Sequence, residues 1–145
     1  MIEVQVDHLG SVQFEIKARQ HTIVSDQPSE NFGHDEGMTP PELLLASLGS
    51  CAAFYAAAYL RKYKLATEGT KVRVIADKRK DDRGVRIDDF KITIEVPIVL
   101  DAKHLDGVNR EVHRCLIHNT LLYPPKIEIE IHAPRPVEEP VNLER

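Results

Sequence analysis

This 145-residue sequence has only two cysteines and no excess of basic charge, and each of these features limits the classes of protein it could belong to. Two cysteines in a reducing compartment are poor candidates for a structural disulfide, so each is either a small core residue or a reactive group. The net charge of −4 argues against a nucleic-acid binder. Hydrophobic and charged fractions of 42% and 29% indicate a globular protein.

Targeting signals are also missing from the N-terminal stretch. It has no basic segment followed by an apolar one, so we predict no signal peptide and a cytoplasmic location. The longest apolar run, residues 43–60, approaches membrane length but contains Ser47, Gly49, Ser50 and six alanines, which make it weakly lipophilic. We therefore predict a buried helix and no membrane partner.

Alternating apolar and polar residues predict six strands. Period-two alternation around short polar turns is typical of β-hairpins. The polar segment that follows the third predicted strand, residues 25–41, contains Gly and Pro and is predicted to be a loop that forms a lid or a wall. The strands fall in residues 2–9 and 12–18, residues 19–28, residues 71–80 and 90–100, and residues 126–133.

Two helices complete the pattern. Thr39 as N-cap, Pro40 in the first turn and Glu42 three residues after Thr39 predict a helix start with a capping box. The residues that follow are apolar on every side, which is typical of a helix in a core or a subunit interface. Residues 101–122 predict a second, amphipathic helix with Asp101 as N-cap and Cys115 on its apolar face.

The predicted order is βββαββαβ, an α+β fold. We predict one domain over residues 1–132 and a Pro-rich tail over residues 133–145. A single layer of six strands covers only part of the apolar surface of two such helices. We therefore expect an intertwined homodimer in which two central helices are wrapped by β-sheet.

The two cysteines, Cys51 and Cys115, lie 64 positions apart (115 minus 51), each near the middle of a predicted helix. They are either core residues or a two-cysteine peroxidase. In the second case a thiolate attacks a peroxide and becomes a sulfenic acid, the other thiol condenses with it, and an external dithiol reduces the disulfide. Since burial raises a thiol pKa, the thiolate needs a cation, for which Arg19 is a candidate and Arg114 a weaker one.

These motifs together resemble the OsmC/Ohr family of osmotically induced and organic-hydroperoxide-resistance proteins. A β-rich N-terminus ends in an Arg-x-His segment and is followed by "GMTPPELLLASLGSCAA", by "EVHRCLIHNTL" and by "KIEIEI". The similarity reaches about His132 and is greater to the OsmC-like branch than to the Ohr branch. It implies an intertwined homodimer with two interfacial active sites and thiol-dependent reduction of peroxides, with a lipoylated protein as reductant in the Ohr branch.

The resemblance also implies roles for four residues. Cys51 matches the peroxidatic cysteine and Cys115 the resolving one, while Arg19 matches the activating arginine and Glu42 the glutamate that holds it. Leu116 departs from the family, which often has proline directly after the second cysteine. Other readings stay open, since the capping box alone explains Glu42, and Arg19 also fits an exposed strand end.

A substrate pocket and a metal site are two further hypotheses. Phe32, Phe54 and Tyr55 either line an apolar substrate pocket or belong to the dimer core. Cys115 and His118 share a helix face near His113, but a structural zinc site needs four ligands, so we predict no metal and no cofactor.

We therefore predict a cytoplasmic, thiol-dependent peroxidase that reduces organic hydroperoxides, and also hydrogen peroxide, through a Cys51 sulfenate resolved by Cys115. Its reductant would be an external dithiol or a lipoylated protein. The alternative is a non-catalytic OsmC-like dimer that binds a small apolar ligand in the interface pocket. A third reading leaves both cysteines inert in a structural dimer.

Overall fold

The computed structural model describes residues 1–134 and confirms the α+β class. The predicted tail, residues 133–145, lies outside the described residues except for its first two. The elements, in chain order, are β1 Gln5–Gly10, β2 Gln13–Ala18, β3 His21–Ser25, a 3₁₀ turn Ser29–Asn31, α1 Pro40–Lys62, β4 Lys71–Asp81, β5 Gly84–Glu95, α2 Ala102–Val112 and α3 Leu116–Leu122.

The three N-terminal strands form one antiparallel sheet in the order β1-β2-β3. The alternation sets its register, since Ile16 in the central strand pairs with Val6 on one side and Ile23 on the other. This sheet makes no extensive contact with the other elements of the described chain. It is joined to α1 through the loop after β3, where Ser25 bridges to Met38 and donates its hydroxyl to the Met38 carbonyl at 3.0 Å.

A buried carboxylate organises this loop. Asp26 is 1% exposed, and its oxygens accept hydrogen bonds from the backbone amides of Gln27, Glu36 and His34 at 2.8, 3.1 and 3.1 Å. Burial by itself would raise the Asp26 pKa, but these amide donors favour the charged form, and the net pKa lies below its usual value. The loop is therefore a hydrogen-bonded wall built around Asp26.

We expect Asp26→Asn to destabilise the protein near neutral pH, because an amide cannot accept all the bonds of the carboxylate. A lowered folded pKa means that this stabilisation is present above the unfolded pKa near 3.8 and is lost as pH falls through the folded value. Thermal unfolding at about pH 7 and about pH 3 should therefore show a variant deficit that shrinks in acid. Asp35→Asn, an exposed change in the same loop, is the matched control, and an equal deficit there would contradict the assignment.

The core lies where α1 packs on the second sheet and on α2. The two long strands β4 and β5 form an antiparallel hairpin, and α1 contacts mainly β4. Gly49 of α1 faces this sheet, since a Cβ there would lie 3.0 Å from Cγ2 of Val74. Farther along α1, Ala56, Tyr59 and Leu60 pack with Val108 of α2. The single layer of six strands that we expected is thus two separate sheets.

Much of α1 remains uncovered within the chain. Its buried residues share one face, whereas Phe54 on another side is 61% exposed. By length and composition, α1 would be able to cross a membrane, a test that core helices of soluble proteins also pass. An apolar helix that one chain covers only in part agrees with the predicted subunit interface. The homodimer itself stays a prediction.

The predicted second helix is broken into α2 and α3, which corrects our expectation of one helix. Asp101 caps α2 as predicted, by accepting from the backbone amide of His104 at 2.8 Å. Cys115 then leaves the helical conformation, with φ −53° and ψ 125°, and becomes the N-cap of α3. The buried side chain of Cys115 caps α3 with a hydrogen bond, and this arrangement takes the place of a further helical turn.

The last predicted strand is also corrected. The stretch of residues 126–131 belongs to neither sheet within the part of the chain that is described. Ile127, Ile129 and Ile131 are 79%, 82% and 88% exposed. Alternation creates an apolar face, but a strand also needs a partner for its backbone groups, and no described element supplies one here.

Candidate active site

Cys51 lies near the middle of α1 and is half-buried. Leu48, three residues before Cys51, and Ala52, the residue after it, are both fully buried. The Cys51 thiol therefore lies at the edge of the helix face that the rest of the chain covers. Cys51 is a free thiol. The apolar residues around Cys51 predicted a buried helix, whereas its thiol remains partly exposed in the single chain.

Cys115 is the fully buried thiol, with 0% exposure. As N-cap of α3 it accepts a hydrogen bond from the backbone amide of His118, at 3.4 Å from Sγ. A thiol therefore fills the role that Ser, Thr, Asp or Asn usually plays at a helix start.

The two thiols are neighbours. Burial raises the pKa of the Cys115 thiol, and the nearby Cys51 thiol raises it further. The backbone amide of His118 acts in the opposite direction but does not outweigh these effects. Folding thus brings together two residues from different helices, and the Cys115 thiol is protonated at neutral pH.

The start of α3 explains the departure at Leu116. This residue is the first of α3, a position that favours proline because its amide needs no helical partner. The ψ of 125° at Cys115 also lies in the range that the residue before a proline favours. Leu116 occupies this position with 60% of its side chain exposed.

Glu42 forms the predicted capping box. Its carboxylate accepts hydrogen bonds from the backbone amide and the hydroxyl of Thr39, both at 2.8 Å. These donors hold the pKa of Glu42 below its usual value. The carboxylate is therefore kept charged at the exposed start of α1, and its role towards an arginine stays a prediction.

Arg19 lies in the two-residue turn between β2 and β3, with a left-handed φ of 55°. Its side chain is exposed, and no hydrogen bond or ion pair within residues 1–134 joins it to Glu42 or Cys51. A single chain thus does not assemble Arg19 with the thiols. Its activating role stays a prediction.

The three predicted pocket residues are not brought together by contacts. Phe54 and Tyr55 touch edge to face on α1, with ring centroids 5.5 Å apart. Phe32 is 83% exposed and ends the 3₁₀ turn with a φ of 67°. Their substrate role stays a prediction.

An apolar groove that we did not predict lies between β5 and α2. It has a volume of about 380 Å³, and Asn109 and His113 add polar groups to its otherwise apolar lining. Two sequence patterns could have predicted this groove. Apolar residues alternate along β5 and recur every three or four positions along α2, so each element presents an apolar face. Its walls include Phe90, Ile92 and Ile94 from β5 and Leu105, Val108 and Val112 from α2.

His113 and His118 pack edge to face, with ring centroids 5.5 Å apart. Across residues 1–134, no three His, Cys, Asp or Glu side chains converge in a way that would hold a metal ion. Nδ1 of His118 is buried and has no hydrogen-bond partner among these residues. The prediction of no metal stays a prediction.

Fold and site together define an α+β protein with two neighbouring free thiols, one on a long apolar helix and one capping a short helix. Residues 33–130 match the family described as OsmC-like protein, and the chain belongs to this family. No curated protein sequence is significantly similar to the chain.

Solved structures share the fold at low sequence identity. A Psychrobacter arcticus 273-4 protein, named for a proposed role in osmotic stress induction and detoxification response, has a TM-score of 0.74 at 24% identity over 83% of this chain and 88% of its own. An OsmC-like protein from Mycoplasma pneumoniae has a TM-score of 0.71 at 16% identity, over 84% of this chain and 87% of its own. The organic hydroperoxide resistance protein OhrB of Bacillus subtilis has a TM-score of 0.61 at 14% identity, over 83% of this chain and 89% of its own.

Proposed function

We propose that this protein is a thiol-dependent peroxidase that reduces organic hydroperoxides and takes part in peroxide stress resistance. The observation that carries the proposal is the proximity of the free thiols of Cys51 and Cys115, close enough for Cys51 to raise the pKa of Cys115. Family membership supports it, and so does the name of a structural relative, OhrB, an organic hydroperoxide resistance protein.

The different environments of the two thiols suit the two steps of such a cycle. Cys51, the more exposed one, attacks the terminal peroxide oxygen as a thiolate, the O–O bond breaks, and the alcohol leaves with a proton. Cys115 then attacks the sulfur of the Cys51 sulfenic acid, water leaves, and a disulfide forms. An external dithiol or a lipoylated protein reduces this disulfide in the cytoplasm.

A homodimer would complete the site. The N-terminal sheet, the outer face of α1 and the isoleucines of residues 127–131 are all apolar surfaces that the single chain leaves open. A second copy would cover them, and the hairpin turn that carries Arg19 belongs to the sheet that extends away from its own core. We infer that Arg19 reaches a Cys51 thiolate only in this assembly, where a desolvated ion pair lowers the thiol pKa.

The decisive experiment is titration of reduced protein with one equivalent of cumene hydroperoxide, followed by intact-mass measurement and peptide mapping. We expect rapid loss of two hydrogens and a peptide pair joined through Cys51 and Cys115. Thiols that both stay reduced, or that oxidise slowly without joining, would contradict the peroxidase. Analytical ultracentrifugation of the same sample tests the dimer.

The groove between β5 and α2 supports a second candidate, a non-catalytic dimer that binds a small apolar ligand. Its volume of about 380 Å³ and apolar walls suit such a ligand. This candidate predicts saturable binding of a fluorescent apolar dye by protein whose thiols remain reduced after peroxide treatment. Rapid disulfide formation would instead support the first candidate.

A further inference from the structure

Phe32 is an exposed aromatic residue on a rigid turn. It ends the 3₁₀ turn Ser29–Asn31 in a left-handed conformation, with φ 67°, and is 83% exposed. Its amide donates to the Ser29 carbonyl at 3.2 Å, and its own carbonyl accepts the Ser11 hydroxyl at 2.9 Å. Hydrogen bonds on both sides therefore fix the backbone that carries the ring.

The residue after Phe32 leaves the turn little freedom. Gly33 has no room for a side chain, since a Cβ there would lie 1.7 Å from the Gln27 carbonyl oxygen and 2.8 Å from Oδ1 of Asp26. Its amide donates to the Pro28 carbonyl at 3.3 Å. The turn is thus packed against the hydrogen-bonded wall around Asp26.

The conformation and the exposure of Phe32 are both unfavourable for a chain on its own. A left-handed φ is strained for a bulky residue, and an exposed ring leaves apolar area in water. Strain of this kind persists where the surrounding structure holds it, and it concentrates at functional sites. Phe32 therefore has the form of a preorganised anchor for a binding partner.

The charges around Phe32 indicate what its partner offers. Residues 26–36 contain four Asp or Glu and no Lys or Arg. Three of the four acidic residues, Glu30, Asp35 and Glu36, are exposed. The matching surface would be an apolar pocket beside an excess of positive charge.

An apolar pocket lies between β5 and the two helices that begin or continue at the thiols, α1 and α3. Its volume is about 470 Å³, whereas a cavity of about 150 Å³ already admits benzene. Five apolar residues line it, and they are Leu44 of α1, Ile87 and Phe90 of β5, and Leu121 and Leu122 of α3.

Positive charge exceeds negative charge next to this pocket. Residues 78–86, at the end of the β4–β5 hairpin, contain five Lys or Arg and two Asp. Arg86 and Asp88 lie in the pocket wall and pair with each other at 3.3 Å. The cations of this hairpin end that have no ion pair within residues 1–134 are Lys78, Lys80 and Arg83.

We propose that Phe32 of one copy docks into the pocket between α1, β5 and α3 of a second copy, an inference that rests on the homodimer of the proposed function. The second copy fits because the same chain carries both complementary surfaces, an acidic turn with an exposed ring and an apolar pocket with a basic rim. Phe32 is exposed in the single chain, so it does not occupy its own pocket. Docking would add an aromatic wall from the partner beside the helices of Cys51 and Cys115.

Photo-crosslinking tests the docking directly. Phe32 is replaced by the photoreactive p-benzoylphenylalanine, and the product exchanges subunits with isotope-labelled wild-type protein before irradiation. We expect the peptide that contains position 32 to become joined to labelled peptides that contain Phe90, Leu121 or Leu122. The same replacement at Leu105, an exposed residue of the groove between β5 and α2, should not give these products.

Dimer dissociation, measured by analytical ultracentrifugation, gives a second readout. Phe32→Asn removes the ring but suits the left-handed backbone, so the dissociation constant should rise about 10-fold or more while circular dichroism stays unchanged. Leu122→Glu places a carboxylate in the pocket opposite the acidic turn and should weaken the dimer similarly. The double variant should lose no more than the weaker-binding single variant, because both remove one contact. Higher salt should weaken the wild-type dimer, since exposed charges are screened.

The docking is overturned if position 32 joins only its own chain or another surface of the partner. Additive losses in the double variant, an unchanged dissociation constant in Phe32→Asn, or a wild-type protein that stays monomeric would also overturn it. None of these results alters the outcome of the peroxide titration. Conversely, thiols that stay reduced in a protein that crosslinks as expected would contradict the peroxidase and leave the docking in place.

Discussion

Cys51→Ser is expected to reduce hydroperoxide consumption to the background rate and to abolish disulfide formation. The remaining thiol, Cys115, is fully buried with a raised pKa, so it is both inaccessible and protonated at neutral pH. Cys115→Ser should behave differently, because Cys51 is half-buried and free to react once. It should consume one equivalent and stop with a sulfenic acid on Cys51. Stopped-flow measurement of peroxide loss, with intact mass at the end, distinguishes the two.

Serine is nearly isosteric with cysteine, so both variants should keep the wild-type Tm closely enough to serve as controls for each other. Sustained turnover by Cys51→Ser would show that Cys115 or another group carries the reaction. Stoichiometric oxidation that is identical in both variants would remove the distinction between attacking and resolving thiols.

Gly107→Ala is expected to cause the largest loss of stability. A Cβ at position 107 of α2 would lie 2.0 Å from Oη and 2.1 Å from Cζ of Tyr59, far inside contact distance. Tyr59 is itself held, since it is 7% exposed and its hydroxyl lies 3.2 Å from Nδ1 of His104. Overpacking of this kind costs about 1–3 kcal/mol or more. Chemical denaturation at a fixed protein concentration measures the change in unfolding free energy.

Gly49→Ala is the matched control, because it is also a helical glycine and gains the same preference of alanine for helix, about 1 kcal/mol. Its new Cβ would lie 3.0 Å from Cγ2 of Val74 and 3.9 Å from Cγ1 of Val72, both side-chain atoms that are able to shift. We expect a small change of either sign there. Equal losses at both positions would contradict the close approach of α1 and α2 at Tyr59.

Local sequence patterns determined most of the elements. The N-terminal strands and the second hairpin follow from alternation, and the start of α1 follows from Thr39, Pro40 and Glu42. The start of α2 also follows from a local pattern, since Asp101 is the N-cap that the sequence predicted. These features depend on neighbours a few residues apart, which is why a pattern read along the chain predicts them.

The break at Cys115 and the unpaired stretch of residues 126–131 had no comparable local signal. Neither Pro nor Gly marks the start of α3. The isoleucines of residues 127–131 alternate with polar residues as they would in a paired strand. The helix breaks at a buried side chain, and a strand forms only beside a partner. Both outcomes depend on elements distant in sequence.

The sequence by itself determined the class of fold, the family resemblance and the identity of the two thiols. Only the tertiary structure decided that Cys115 is the more buried thiol and that it lies near Cys51. The physical reason is that burial and the proximity of the thiols arise from packing between helices, which no spacing within one helix encodes. The contacts of Arg19 likewise depend on which surfaces meet after folding, so its position in the sequence does not predict them.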